Sequence, residues 1–179
     1  DCLGWATGKP CGACYVCHMV EVFGELYRVL RDDGTLWLNL GDTFDGDQQM
    51  TPARVALALQ ASGWRLRQDI IWYAPNKMPE SVKTRCTKSH EHIFLLAKGN
   101  DYYYDAEAIQ EEMISKPHAP GRVREDRIGQ GSGGNVKKPD IVWGADGNKN
   151  KRDVWIVPTR GYPGSHFATF SPQLINPCI

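Results

Sequence analysis

Two stretches of this chain carry side chains whose type and spacing could do chemistry. The first lies between the apolar runs Ile70 to Tyr73 and Ile93 to Ala97 and carries Lys77, Lys83, Arg85 and Lys88, with only Glu80 and Glu91 against them. Pro75, Asn76, Met78 and Pro79 stiffen its entry. A cationic loop between two buried strands suits an anionic polymer better than a small neutral metabolite. The second is a cysteine cluster, Cys2, Cys11, Cys14 and Cys17, which places four of the six cysteines in the first seventeen residues. Thiolates two residues apart can turn around one tetrahedral zinc, and four of them can close a structural site. A set of small, half-buried thiols without metal remains the alternative.

Other patterns carry less. Gly129-Gln-Gly-Ser-Gly-Gly134 matches a dinucleotide fingerprint in letters only: no apolar strand precedes it and no helix pattern follows, so it reads as a flexible linker. Asp42, Asp45 and Asp47 miss the spacing of a calcium loop and read as solvated acids, with Asp42 of interest because it follows a strand. The segment from Tyr162 to Ile175 sets His166 and the aromatics Phe167 and Phe170 just before a helix start. Such a start could cradle a carboxylate and an adenine ring, or its aromatics could simply plug the core.

The elements that must position these groups alternate. Helical spacing begins at Met19, with Val22, Phe23, Leu26, Val29 and Leu30 on one face, and Asp33-Gly34 is expected to end that helix. Leu36 to Leu40 reads as a strand buried on both faces, Thr51-Pro52 as the start of a helix over 53–62 closed by Gly63, and Trp64 to Tyr73 as the next strand. No apolar helix fits between Ile71 and Ile93, so Glu91 to Ala97 is expected to run antiparallel to its predecessor. A short acidic helix over 106–112, a long basic segment, a strand over 153–157 and a helix from Ser171-Pro172 complete the pass. The fold class is therefore α/β.

Composition sets the frame. Hydrophobic content of 41% and charged content of 23% are ordinary for a globular chain, and the formal net charge is zero. Charge is local instead: residues 115–152 hold nine Lys or Arg against four Asp or Glu, whereas 101–112 hold five acids and no base. No apolar run approaches the roughly 20 residues of a membrane span, so no membrane partner is expected. Clustered rather than dispersed cysteines fit a reducing, cytoplasmic setting.

The order Trp72-x-x-Pro75-Asn76-x-Met78-Pro79-Glu80-Ser81, then Thr87-Lys88-Ser89-His90-Glu91 and an apolar strand ending Ala97-Lys98, resembles one family. These are the DNA methyltransferases that modify the exocyclic amine of cytosine or adenine, in the permuted group whose main cofactor motif comes late. Val29 to Asp42 is similar to the family's helix and strand after its catalytic loop. Lys151 to Pro158 with His166 to Pro172 is similar to its cofactor-contacting segment. The resemblance covers nearly everything from Met19 onward and implies an incomplete Rossmann-like fold with one antiparallel strand. It further implies S-adenosylmethionine as cofactor, bound by His166, Ala168 and Phe170, and duplex DNA as partner. Pro75, Asn76 and Met78 would then wall the target base, with Lys77, Lys83, Arg85 and Lys88 on phosphates.

A cognate restriction endonuclease is an implied partner, and structural zinc on Cys2, Cys11, Cys14 and Cys17 is the second cofactor expected. The implied organisation is a Cys-rich insertion over 1–18, a core over 19–99, a basic target-recognition insertion over 100–150 and a cofactor edge over 151–179. Two family motifs are missing: the Pro-Pro-containing catalytic tetrapeptide and the Phe-x-Gly-x-Gly cofactor motif. The expectation is an internal segment of a longer enzyme, inactive alone, with no catalytic residue of its own. Pro10-Cys11 and Pro177-Cys178 are similar to the nucleophile dipeptide of ring-carbon cytosine methylases, but the accompanying Glu-Asn-Val is absent. The rivals are a non-catalytic, zinc-containing nucleic-acid-binding module, which leaves the buried strands unexplained, and a small-molecule methyltransferase, which leaves the basic loop unexplained.

Overall fold

The computed structural model describes residues 4, 9–113, 148–161, 164 and 170–179. Helix α1 (Tyr15–Val29) leads into strand β1 (Thr35–Leu40), a small hairpin of β2 (Phe44–Asp45) and β3 (Asp47–Gln48), and helix α2 (Thr51–Ala61). Strands β4 (Arg65–Tyr73) and β5 (His90–Ala97) follow. Beyond them come β6 (Glu111–Glu112), β7 (Asn148–Lys149), β8 (Val154–Ile156) and the short helix α3 (Pro172–Ile175), closed by a 3-10 turn over Asn176–Cys178.

The main sheet has the order β1-β5-β4-β8. β5 pairs antiparallel with both β1 and β4, while β8 lies parallel to β4. Three strands thus share one direction and β5 alone opposes them, as the helix-free return after Ile71 requires. The architecture is mixed α/β. The strand buried throughout is β5 from Ile93 to Ala97, and not β1, where only Leu38 is buried. The reason is position: β5 has a hydrogen-bonded neighbour on each side, whereas β1 is an outer strand among the described residues.

Two apolar clusters hold the sheet. One joins Val16 and Val20 of α1 and Val55, Ala56, Ala58 and Leu59 of α2 to Leu38, Trp64, Phe94 and Leu96. Tyr27 meets Trp64 edge-on at 5.0 Å, the arrangement that aromatic quadrupoles favour. The second joins Ile70, Trp72, Ala74, Ile93, Trp155 and Leu174. There Trp72 Nε1 donates to Val157 O at 2.8 Å, which ties β4 to the segment after β8.

Local boundaries depart from sequence expectation in three places. Helix α1 begins at Tyr15 rather than Met19, and its buried face carries Val16, Cys17 and Val20, whereas Val22 and Val29 are more than 60% exposed. Of the set expected on one face, Phe23 and Leu30 do pack against the core, while Val22 and Val29 turn to solvent. That helix also ends at Val29, and Gly34 is not its left-handed cap: it sits in a turn held by Gly34 N–H to Arg31 O at 3.0 Å. A Cβ there would come within 2.8 Å of the Leu30 side chain, so glycine serves close approach instead. Finally, the acidic segment expected as a helix over 106–112 makes one turn, with Asp105 Oδ1 accepting the Ala108 N–H at 3.0 Å, and then becomes β6.

The chain divides into a compact unit of 1–104 with 153–179 and a second unit of 105–152. Within the second, β6 pairs with β7 and Glu111 accepts a hydrogen bond from the Arg152 guanidinium at 2.9 Å. Burial opposes ionisation of Glu111, but the Arg152 hydrogen bonds and the charges of Arg152 and Lys151 outweigh it and lower its pKa. Among the described residues no helix is long and apolar enough to cross a membrane.

Candidate functional site

The carboxyl ends of β1 and β4 and the start of β5 fall at one edge of the sheet, because β5 runs against its neighbours. Ligands of open α/β sheets collect at such an edge. Here a cleft of about 380 Å³ is lined by Asp42, Thr43, Phe44 and Gln48 from the segment after β1. Its other wall is Glu80, Arg85, Cys86, Thr87, Lys88 and His90 from the loop between β4 and β5.

Asp42 organises the first wall. Its side chain is 3% exposed. Oδ1 accepts the Thr51 N–H at 2.8 Å and Oδ2 the Met50 N–H at 3.2 Å. The carboxylate therefore sits on the N-terminus of α2, where unpaired N–H groups and the helix dipole favour negative charge. Burial works against its ionisation, yet the Thr51 N–H, the Gln48 side chain, the Lys88 charge and the Thr43 N–H prevail, so its pKa is lowered. Met50 takes a left-handed backbone, φ 54°, to bring its N–H into this arrangement.

The second wall is cinched by Glu80. Its Oε2 accepts from Arg85 at 2.8 Å, its Oε1 accepts the Lys88 N–H at 3.2 Å, and its own N–H donates to Thr87 Oγ1 at 3.3 Å. Arg85 also lies over the Phe44 ring at 4.0 Å, a cation–π contact between the two walls. The loop is entered through a turn with Pro75 at its second position, closed by Lys77 N–H to Ala74 O at 3.2 Å. Asn76 uses that turn to clamp the chain after β8: Nδ2 donates to Thr159 O and Oδ1 accepts the Thr159 N–H, both at 2.8 Å.

The loop's charge is more balanced than its sequence implies. Lys77 pairs with Glu91 at 2.9 Å, Arg85 with Glu80 at 2.8 Å and Lys88 with Asp42 at 3.8 Å. Asp42 was not visible in sequence as a counter-charge, being 46 positions from Lys88. Lys83 makes no ion pair among the described residues, and Met78 is 82% exposed. The loop thus brings Pro75, Asn76, Lys77, Met78, Lys83, Arg85 and Lys88 together at one sheet edge, with Lys83 and Met78 presented outward.

Of the cofactor-edge residues, His166 and Ala168 lie outside the described residues, and Phe170 is half-exposed before α3. Sequence reading passed over its neighbour Ser171, whose Oγ is buried with no hydrogen-bond partner among the described residues. The signal was its place immediately before Pro172 at a helix start. Cys178 does not fit a nucleophile's role: burial pushes its thiol up to about 11, so it stays protonated at neutral pH.

The cysteine cluster is separate from the cleft. Cys11, Cys14 and Cys17 bring their sulfurs within 4.8 Å of one another at the start of α1, while Cys2 lies outside the described residues.

An α/β domain with a cleft at its strand ends, walled on one side by a loop of paired charges, has the layout of a ligand-binding domain. Comparison with known proteins makes the class specific. The family model described as DNA methylase, of the N6/N4 methyltransferase type, matches residues 12–179, and the chain belongs to that family. It is 38% identical over 192 residues to the Type II methyltransferase M.Cfr9I of Citrobacter freundii, covering 90% of this chain and 54% of that protein. It is also 38% identical to the Type II methyltransferase M.SmaI of Serratia marcescens, covering 92% of this chain and 57% of the other. The chain therefore spans little more than half the length of these relatives. Among solved structures, the M1.HpyAVI–SAM complex matches with a TM-score of 0.40 and 14% identity, over 60% of this chain and 50% of that one.

Proposed function

We propose that this chain forms the core and one wall of the target-base pocket of an enzyme that methylates the exocyclic amine of cytosine or adenine in duplex DNA. The observation that carries the reading is the family match over residues 12–179, which includes the basic loop that walls the cleft at the strand ends. A non-catalytic nucleic-acid-binding module is not favoured, because family membership covers the buried strands as well as the loop.

S-adenosylmethionine, when bound, supplies an electrophilic methyl group on sulfur. Phe170 and the Ser171 hydroxyl are the described residues that would hold it, next to His166 and Ala168 in sequence. A base within a duplex must be extruded before its amine can meet that methyl, at a cost of a few kcal/mol. Pro75 and Met78 would border the extruded base. Asn76 acts as a positioning residue, since its amide is engaged by Thr159. Lys83 is the cation offered to phosphate, whereas Lys77, Arg85 and Lys88 can reach it only by leaving an acidic partner. Residues 100–150 would supply target recognition, and the setting would be the cytoplasm, with an endonuclease of the same site as partner.

The test is transfer of tritiated methyl from S-adenosylmethionine to duplex DNA by the full-length product of the reading frame, with the products digested to nucleosides. Label in N4-methylcytosine or N6-methyladenine is the expected result. Label at cytosine ring carbon, or transfer to small molecules but not to DNA, would overturn the reading.

A further inference from the structure

We infer that Cys11, Cys14 and Cys17 hold one zinc ion at the N-terminus of α1, a structural site distinct from the cleft. Their sulfurs are spaced for it: Cys14 to Cys17 is 3.6 Å and Cys11 to Cys17 is 3.8 Å. Thiolates at tetrahedral corners about 2.3 Å from one ion stand about 3.8 Å apart. Apolar packing accounts for Cys17 in the core and Cys14 against it, but gives no reason for exposed Cys11 to join them. A disulfide would use two of the three thiols and leave the third unexplained.

The neighbouring backbone supports a ligating role. The Gly12 N–H donates to Cys17 Sγ at 3.3 Å, the kind of outer hydrogen bond that orients a ligating group. Cys14 occupies the cap position of α1 and Cys17 its first turn. Sulfur-only ligands select zinc or iron–sulfur clusters, and a single compact triangle of thiolates suits one ion.

The site's work is mechanical. Cys17 is 2% exposed and sits in α1 between core residues Val16 and Val20. An ion on the three sulfurs would pin the turn at 11–14 to the helix that covers one face of the sheet. No cleft-lining residue belongs to it, so the inference stands apart from the methyl-transfer reading.

The experiment is metal analysis of the whole chain purified under reducing conditions with zinc supplied, followed by replacement with cobalt(II). About one zinc per chain is expected, and the cobalt form should show the intense visible bands of a tetrahedral, thiolate-rich site. Cys14→Ser and Cys17→Ser should each lose most of the metal, while Cys86→Ser, at an exposed cysteine outside the cluster, should keep it. Should the serine variants fail to fold, stripping wild-type protein with a chelator and refilling it with zinc provides the second measurement. Reversible loss and recovery of the cobalt spectrum is expected. Substoichiometric zinc, a weak octahedral cobalt spectrum, iron in place of zinc, or equal loss in Cys86→Ser would overturn the inference.

Discussion

Replacing Asp42 with asparagine should cost stability and should do so only above acidic pH. In the folded chain the carboxylate accepts the Thr51 and Met50 N–H groups at 2.8 and 3.2 Å and lies 3.8 Å from Lys88, with its side chain 3% exposed. Hydrogen bonds to a charged group contribute about 1.5–3 kcal/mol, and the asparagine amide can replace only one of the two acceptor oxygens. The expected loss is therefore about 2 kcal/mol at pH 7. With a urea slope of about 2 kcal/mol/M, the unfolding midpoint should fall by about 1 M. The sign with pH follows from the lowered pKa. A carboxyl whose folded pKa lies below its ordinary value of 3.8 contributes its full stabilisation above that value and loses it as pH falls through the folded pKa. Wild type and Asp42→Asn should thus differ most near pH 7 and converge as acidification passes below the ordinary carboxylate value of 3.8. Urea titrations followed by tryptophan fluorescence at several pH values would measure this. Equal midpoints at pH 7, or a gap that widens on acidification, would refute the reasoning.

Four further outcomes are expected. Lys83→Ala in the full-length enzyme should weaken duplex binding and reduce the log–log salt slope by about one, measured by fluorescence anisotropy across a salt series. Asn76→Ala removes the Thr159 clamp, whose hydrogen bonds contribute about 1 kcal/mol each, and should lower both the unfolding midpoint and kcat; unchanged kcat would rule out the positioning role. Lys98→Met should destabilise by about 1 kcal/mol in urea titrations, since Lys98 donates to Leu30 O at the C-terminal end of α1 and lies 5.2 Å from the Tyr27 ring centroid. Cys178 should resist alkylation at pH 8 and gain reactivity only as pH approaches about 11, whereas exposed Cys86 should be labelled readily by iodoacetamide and found by peptide mapping.

What could be read in advance was whatever depends on neighbours in sequence. Alternation of apolar runs with capped segments gave the α/β order, and the missing helix between Ile71 and Ile93 gave the reversed strand β5. Gly63 follows the last turn of α2 as expected, with φ 117°. The misreadings of strands and of the site share a cause: each depended on a distant partner. Leu36 to Leu40 has the composition of a doubly buried strand, but its exposure was decided by its neighbours in the sheet. The acids at 111 and 112 joined a strand because Asn148 and Lys149 return beside them. At the site, the loop's basic residues were legible, but their pairing with Asp42 and stacking on Phe44 were not. Nor could local pattern show that Asn76 would meet Thr159, 83 positions away.

The basic loop begins and ends at a single hydrogen bond, Ala74 N–H to Ser89 O at 2.8 Å, directly above the last paired residues Tyr73 and His90. Its two stems are thus held together by the sheet whatever lies between them. Closing a flexible loop on such a base costs only about 0.6 kcal/mol more for each doubling of its length. The segment is therefore separable in energetic terms from the strands that carry it. Loops of other lengths and compositions could be transplanted between Ala74 and Ser89 with the sheet pairing kept, provided Asn76 stays to clamp Thr159 and Asp42 stays to cap α2.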